Sequence, residues 1–217
     1  MALREDLRLA RLETRAFLDQ PQCAYQWPIG RRLGLWLTMI ANVVVCERRV
    51  SADGQALCLL GRVRPVGAAW CGSVALAYLA GCLWALAWVP WLVVAPMALG
   101  VFLCASAFRV RHRAGPSRAR LSQAQAGLDS ELPRRRWLSV HSVASQRRGA
   151  GAEVLWSLCQ EADEAGWNLI LDAGNETLAR YYEAFGFVAI AEPAAMPWGE
   201  AVVRMVRPAN KALAVAA

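Results

Sequence analysis

The spacing of apolar positions predicts different structures for the first, middle and last thirds of the chain. Residues 3–18 carry an apolar stripe and an arginine stripe at helical spacing, which predicts a helix that either lies on a membrane surface or packs as the first helix of the fold. The segment Leu33–Cys46 is apolar but too short to cross a bilayer, and its end is rich in β-branched residues. With the turn at Ser51–Gly54 and the apolar run Gln55–Val63, it predicts a β-hairpin over residues 38–63.

The middle third is a long apolar segment without charge. Val66 to Phe108 contains no Asp, Glu, Lys, Arg or His, and at ~1.5 Å per residue one helix of this length would be about twice the ~30 Å hydrocarbon core. We therefore expect two spans joined by a turn at Pro90, with arginines beyond both outer ends. This predicts a transmembrane hairpin over 66–108 in a multi-pass protein of the cell (inner) membrane, with both termini cytoplasmic. The alternative is a buried helical pair inside a soluble domain.

The last third alternates apolar strands with amphipathic helices. The elements expected there are a strand at Leu138–Ala144, a helix at Ala152–Ala165 ended by Gly166, a strand at Asn168–Asp172, a helix at Glu176–Ala184, and strands at Phe187–Ala191 and Ala201–Val206. The continuous apolar centre of the strand Asn168–Asp172 indicates that it is buried on both faces.

Composition narrows the range of partners. The chain is 57% hydrophobic with a net charge of +7 and a mean hydropathy of +0.27, and its arginines flank the apolar segment instead of alternating with aromatic stacking residues. Membrane lipid is therefore a predicted partner, and nucleic acid is not. The seven cysteines are scattered singly without CxxC spacing, and the two histidines complete no metal set. This pattern predicts free thiols, a reducing location and no metal site.

The turn Gln146–Gly151 stands between a predicted strand and a predicted helix. Its glycines allow the backbone to come close to a ligand, and the first N–H groups of the helix have no internal acceptor. Together with the positive end of the helix dipole, these N–H groups form a site for an anion of phosphate size. Arg147 and Arg148 add positive charge, so we predict a ligand that carries phosphate.

The turn and two later motifs resemble the acetyl-CoA-binding half of the GNAT-type N-acetyltransferase superfamily. The family has a pyrophosphate turn of the form (Gln/Arg)-x-x-Gly-x-(Gly/Ala), an Asn after the next strand and a Tyr-x-x-x-Gly-Phe ending. The matching residues are Gln146, Gly149 and Gly151 in the turn, Asn175 after the strand, and Tyr182, Gly186 and Phe187 in the ending. One departure is that Val143–Ser145 stands where a proline often precedes the turn.

The resemblance implies an α/β fold in which a mixed central sheet is flanked by helices, here interrupted by the two-helix transmembrane hairpin. The segment 137–208 would be only about half of such a domain and marginal by itself. Residues 1–65 are therefore expected to supply the first helix and strands. The hairpin would be inserted between the two halves, residues 109–136 would form a basic linker back, and 209–217 would form a tail.

The resemblance also implies roles for individual residues. The cofactor-binding turn would hold the pyrophosphate of acetyl-CoA through Gln146, Arg147, Arg148, Gly149, Ala150, Gly151 and Ala152. Tyr182 would give a proton to the departing thiolate, and Asn175 would bind the pantetheine arm, cap a helix, or do both. His141 is the titratable side chain on the strand before the turn, and it is either the general base or a structural residue. A chain of waters could replace a base.

These features predict a membrane-anchored N-acetyltransferase that transfers an acetyl group from acetyl-CoA to a primary amine, with its catalytic half at the cytoplasmic face. The alternative is a non-catalytic membrane protein that binds CoA for sensing or assembly, and a third hypothesis is transfer of a longer acyl chain. A stripe of small residues would permit either an internal helix pair or a homodimer. The stripe consists of Ala69, Ser73, Ala77, Gly81 and Ala85.

Overall fold

The computed structural model describes residues 2–26, 31–65, 69, 72–77, 80–81, 98, 100–101, 114–131 and 136–209. The helices, in chain order, are α1 (Ala2–Phe17), α2 (Pro21–Gln26), α3 (Arg31–Val45), α4 (Gly115–Glu131), α5 (Ala150–Ala165) and α6 (Glu176–Glu183). The strands are β1 (Cys46–Val50), β2 (Ala56–Val63), β3 (Arg136–Ser145), β4 (Trp167–Ala173), β5 (Val188–Ala189), β6 (Ala194–Ala195) and β7 (Ala201–Arg207).

The strands form one mixed sheet in the order β1-β2-β3-β4-β7-β5, and β6 also pairs with β7. β3 and β4 run parallel, and the other described strand pairs are antiparallel. The parallel pair is connected by α5, as a parallel connection requires a crossover. The predicted α/β fold with a mixed central sheet flanked by helices is therefore confirmed.

Both faces of the sheet are covered, which explains why β2 is buried along an uninterrupted run. Its alternate residues point to opposite sides. Cys58 and Leu60 belong to the core beneath α5 and α6, whereas Leu57 and Leu59 belong to a second core beneath α1 and α3. An ion pair between Arg49 and Glu161 of α5, at 2.5 Å, ties β1 to the first of these layers.

The predicted first helix is confirmed as α1. Its apolar residues Leu9, Ala10 and Leu12 are buried, and they pack with Val43 of α3 and with β2. The apolar face of α1 is therefore covered by the protein itself, as expected for a helix that packs as the first element of the fold.

The predicted β-hairpin over residues 38–63 is wrong in its first part. Residues 38–45 belong to α3, and the observed hairpin consists of β1 and β2 around the predicted turn at Ser51–Gly54. The β-branched run at Val43–Val45 favoured a strand by propensity. However, Val43 and Val44 are both buried within α3, and tertiary packing outweighs so weak a preference.

The membrane location is also wrong: within the described residues, no helix is both long enough and apolar enough to cross a bilayer. Of the predicted hairpin over 66–108, only 69, 72–77, 80–81, 98 and 100–101 are described, and the remainder lies outside the described residues. The segment predicted as a basic linker, 109–136, contains α4 and the first residue of β3. The predicted tail lies outside the described residues except for Ala209, which is buried.

Candidate active site

The two parallel strands separate at their carboxyl ends. β3 and β4 pair from Arg136 and Trp167 as far as Val140 and Leu171. Beyond this point β3 continues beside β2 to Ser145, while β4 continues beside β7. The sheet therefore has a V-shaped opening between β3 and β4, and the edge of β3 that faces it has no strand partner in the described part of the chain.

A cavity of about 460 Å³ lies at this opening. β3 contributes Ser139, Val140 and His141 to its wall. Across from them, the carboxylate of Asp172 accepts two hydrogen bonds from the guanidinium of Arg204, at 2.7 and 2.8 Å. Apolar and aromatic side chains complete the wall, namely Ile170, Leu171, Met196, Trp198 and Val202. The cavity thus combines an apolar surface with a few polar groups, as sites for small molecules usually do.

A β-bulge at His141 directs this side chain and its neighbour to the same side of the sheet. Leu59 is opposite Ser142, whereas Leu60 is opposite Val140, so His141 is the extra residue of β3. A bulge re-aims side chains in this way. His141 and Ser142 consequently line a second cavity of about 270 Å³ on the α1 side, and His141, which also lines the larger cavity, lies between the two.

Gly61 of β2 provides the space for this arrangement. A Cβ atom at Gly61 would lie 2.8 Å from the Cβ of Ser139 and 3.1 Å from Nε2 of His141. Any side chain there would displace one or both of these residues. The glycine therefore leaves the room that the His141 imidazole occupies.

The predicted pyrophosphate turn follows β3 directly and is anchored by hydrogen bonds. The N–H of Gln146 donates to the carbonyl of Gln55 at 2.9 Å, and the N–H of Ala150 donates to the carbonyl of Arg147 at 3.2 Å. Gly149 has φ 88°, in the left-handed region that favours glycine. The turn is therefore a defined connection between β3 and α5.

The first turn of α5 leaves backbone donors available for a ligand. Gly149 is the N-cap residue, and no side chain caps the helix. The first N–H groups of an α-helix have no acceptor within it, which at this helix applies to Gly151 and Ala152. Gly151 also packs closely on β3, since a Cβ atom there would lie 3.4 Å from the Cβ of Ser145. These donors, with the helix dipole, form a potential anion site beside the opening.

The two arginines of the turn differ in their environments. Arg147 donates to Asp53 at 2.9 Å and to both carboxylate oxygens of Glu153 at 2.9 Å. Two carboxylates therefore compensate the charge of Arg147, whereas the sequence predicted that this charge would attract the ligand. Arg148 is exposed and forms no ion pair with any residue in the described ranges. Any cationic contribution to the anion site would come from Arg148.

Asn175 is the N-cap residue of α6, as one interpretation of the sequence predicted. Its Oδ1 accepts a hydrogen bond from the N–H of Leu178 at 2.9 Å. No described residue accepts from its Nδ2, so the same side chain can cap the helix and donate to a ligand.

Tyr182 is half-buried at the edge of the core beneath α5 and α6. Its ring packs edge-on against Phe187 with centroids 5.9 Å apart. Burial raises the pKa of the Tyr182 phenol to about 12, and Cys58 and Tyr181 add smaller contributions in the same direction. The phenol is therefore protonated at every physiological pH. Tyr181 is exposed and packs on Phe185.

Sequence reasoning missed Glu13, which is 1% exposed. Its spacing of four from both Leu9 and Phe17 places it on the apolar stripe, and this signal could have revealed a buried carboxyl group.

Comparisons with known proteins give little at the level of sequence: no family model and no curated protein matches the chain. Among solved structures, the crystal structure of arylalkylamine N-acetyltransferase 2 from Aedes aegypti matches 97% of this chain and 96% of that chain, at 12% identity and a TM-score of 0.45. A structure of Drosophila melanogaster polyamine N-acetyltransferase, which catalyses the formation of N-acetylagmatine, matches over 93% and 96%, at 14% identity and a TM-score of 0.40. Similarity at this level does not establish a shared activity or substrate.

Proposed function

We propose that this protein is an N-acetyltransferase that transfers an acetyl group from acetyl-CoA to a primary amine. The observation that carries the proposal is the opening between β3 and β4, which leads directly to the uncapped start of α5. A groove with an anion site at one end matches a ligand that joins a diphosphate to an extended arm. The resemblance in the turn, at Asn175 and at Tyr182 independently favours the same ligand.

The residues around the opening fit the parts of acetyl-CoA. The N–H groups of Gly151 and Ala152 would hold the diphosphate. Beyond Val140, the free edge of β3 offers backbone N–H and C=O groups, and these would pair with the amides of the pantetheine arm as an added strand does. Asn175 Nδ2 would donate to the same arm.

Acetyl transfer requires that the ammonium group of the acceptor loses one proton to a base before attack and a second as the amide forms, and that the thiolate gains one. The amine nitrogen forms a C–N bond to the acetyl carbon while the C–S bond breaks, and the thiolate takes the phenolic proton of Tyr182. Tyr182 recovers a proton from the nitrogen, which sheds its second one as the amide forms. Because burial keeps the phenol protonated, Tyr182 is available as a donor throughout the physiological range.

The acceptor amine would bind in the cavity of about 460 Å³. Trp198 and Met196 offer an apolar surface, and Asp172 offers a carboxylate that Arg204 already pairs. This environment suits an amine with an apolar or aromatic body. A homodimer, predicted from the small-residue stripe, remains a prediction.

Calorimetry and a thiol-release assay test the proposal with the full-length protein. We expect binding of CoA and acetyl-CoA, and release of free thiol that depends on a primary amine. A suitable panel is 2-phenylethylamine, spermidine, glucosamine and a lysine peptide. Absence of CoA binding would refute the proposal, whereas binding without turnover on any amine would favour a CoA-binding sensor.

A further inference from the structure

Glu13 is a buried carboxyl group with one hydrogen-bond partner. Its Oε1 accepts a hydrogen bond from Ser142 Oγ at 2.6 Å. Its Oε2 is buried and has no partner among the described residues, and none of them forms an ion pair with Glu13. A buried polar atom without a partner destabilises the folded state, and more so when it is charged. The position of Glu13 is therefore unfavourable for folding.

The surroundings of Glu13 connect it to the proposed acceptor site. Glu13 lines the cavity of about 270 Å³ together with Ser142 and His141. His141 also lines the larger cavity, where the amine would bind. The bulge in β3 is the reason that His141 and Ser142 face the same side. His141 is therefore the lining residue that these two cavities share.

We propose that Glu13 is the proton acceptor for the amine substrate and acts through His141. The inference rests on the proposed function, since it assigns the base of that reaction. An N–H bond of the ammonium group breaks, its electron pair stays on nitrogen, and the proton passes to His141. The other nitrogen of the imidazole releases a proton, which reaches Oε2 of Glu13 through water in the cavity that both side chains line. The neutral amine can then attack the acetyl group, and Glu13 later returns the proton to solvent.

The electrostatic environment is consistent with this role. Burial raises the pKa of Glu13 from its ordinary value of 4.5 to about 7, and the hydrogen bond from Ser142 lowers it. The titratable groups near it are His141 of β3 and Cys46 of β1 on the same face of the sheet, and Cys58 of β2 on the opposite face. A base with a pKa near the working pH combines a useful deprotonated fraction with sufficient basicity.

Glu13→Gln is the decisive variant, because it keeps the size of the side chain and an acceptor for Ser142. The assay uses the panel amine that the wild-type protein acetylates fastest. We expect kcat/KM to fall about 100-fold, within the range for loss of a general base, while CoA affinity is unchanged. Glu13→Asp should recover part of the loss. Glu5→Gln, an exposed carboxylate on the same helix, is the matched control and should behave like the wild type.

The pH dependence separates a proton acceptor from a structural residue. As the pH rises, kcat/KM of the wild-type protein should increase with an apparent pKa of about 7. This rising limb of the pH profile should be absent in Glu13→Gln. Ser142→Ala removes the hydrogen bond that lowers the pKa of Glu13, so the limb should move to higher pH. Infrared difference spectra should show a protonated carboxyl signal that disappears near neutral pH in the wild type and is missing in Glu13→Gln.

Three outcomes would overturn this inference. These are unchanged kcat/KM in Glu13→Gln, an unmoved limb in Ser142→Ala, and a carboxyl group that is fully ionised at pH 5. Failure of the wild-type protein to bind CoA would instead refute the proposed function, and calorimetry detects that separately.

Discussion

Replacement of Gly149 by alanine tests whether the start of α5 binds the diphosphate. Gly149 is the N-cap of α5 and Gly166 is its C-cap, and both have positive φ, 88° and 69°. A Cβ atom at either position would meet no heavy atom within 4 Å. Any cost of Gly→Ala is therefore conformational and not steric. Gly166→Ala is the matched control, since it introduces the same kind of strain at the other end of the same helix.

The expected size of the effect follows from the backbone angles. A left-handed conformation costs an L-residue about 1–2 kcal/mol. Gly166, with ψ 35°, lies near the left-handed minimum, whereas Gly149, with ψ −25°, lies farther from it. We therefore expect a loss near the lower end for Gly166→Ala and near the upper end for Gly149→Ala. For a protein of this size each kcal/mol corresponds to about 2–4 °C in Tm.

Thermal unfolding and CoA calorimetry on the two variants distinguish stability from binding. Both variants should lose stability, but only Gly149→Ala should lose CoA affinity. We expect that loss to be at least 10-fold, because relaxation of the strained turn moves the N–H groups of Gly151 and Ala152. Equal CoA affinity in Gly149→Ala and the wild type would refute the assignment of this turn as the diphosphate site.

Three further predictions concern the remaining parts of the site. Tyr182→Phe removes the proton donor but keeps the ring packing on Phe187. The value of kcat should therefore fall about 100-fold, while CoA affinity measured by calorimetry stays the same. An unchanged kcat would remove Tyr182 from the mechanism. Gly61→Ala should displace His141 or Ser139 and lower both Tm and kcat/KM. Gly127→Ala in α4, where a Cβ atom has open space, should instead raise the free energy of unfolding by about 0.5–1 kcal/mol. Equal behaviour of the two variants would contradict the steric argument. Glu13→Gln should change the pH dependence of stability: because burial raises the folded-state pKa of Glu13 from 4.5 to about 7, its contribution is complete below pH 4.5 and is lost as the pH rises through 7. Above pH 7 the free energy of unfolding of the wild type should therefore be about 3 kcal/mol lower than at low pH. Denaturant titrations of Glu13→Gln should not show this loss. Parallel plots of stability against pH for the two proteins would contradict the burial of this carboxyl group.

The elements that sequence reasoning predicted correctly are those specified by local pattern. α5 was predictable because an amphipathic run stands between the glycine turn and Gly166, and β4 because its apolar centre is continuous. α1 was predictable from its stripe. α3 was not, since its β-branched end favours a strand by propensity, whereas the packing of Val43 with α1 that favours a helix there is a tertiary contact.

The parts of the site that sequence reasoning missed depend on contacts between distant segments. One of the two partners of Arg147 is Asp53, 94 residues away, so this part of its charge compensation has no local signal. The bulge at His141 is a property of the register between β2 and β3, which neither strand specifies alone. Glu13 lies 129 residues from Ser142. Its place on the apolar stripe of α1 was visible, but its chemical partner was not.

The proposed acid and base lie on opposite faces of the sheet, and the opening between β3 and β4 is what allows them to serve one reaction. Tyr182 packs with the core beneath α5 and α6, whereas Glu13 lies on the α1 side with Ser142. A continuous sheet would separate two such groups by its full thickness. Because the pairing of β3 and β4 ends at Val140 and Leu171, we expect the acetyl group of bound acetyl-CoA to lie at that point, within reach of both faces. Burial keeps the phenol protonated and leaves the carboxyl group able to take up a proton near neutral pH. Divergent environments of this kind assign a donor and an acceptor within one site.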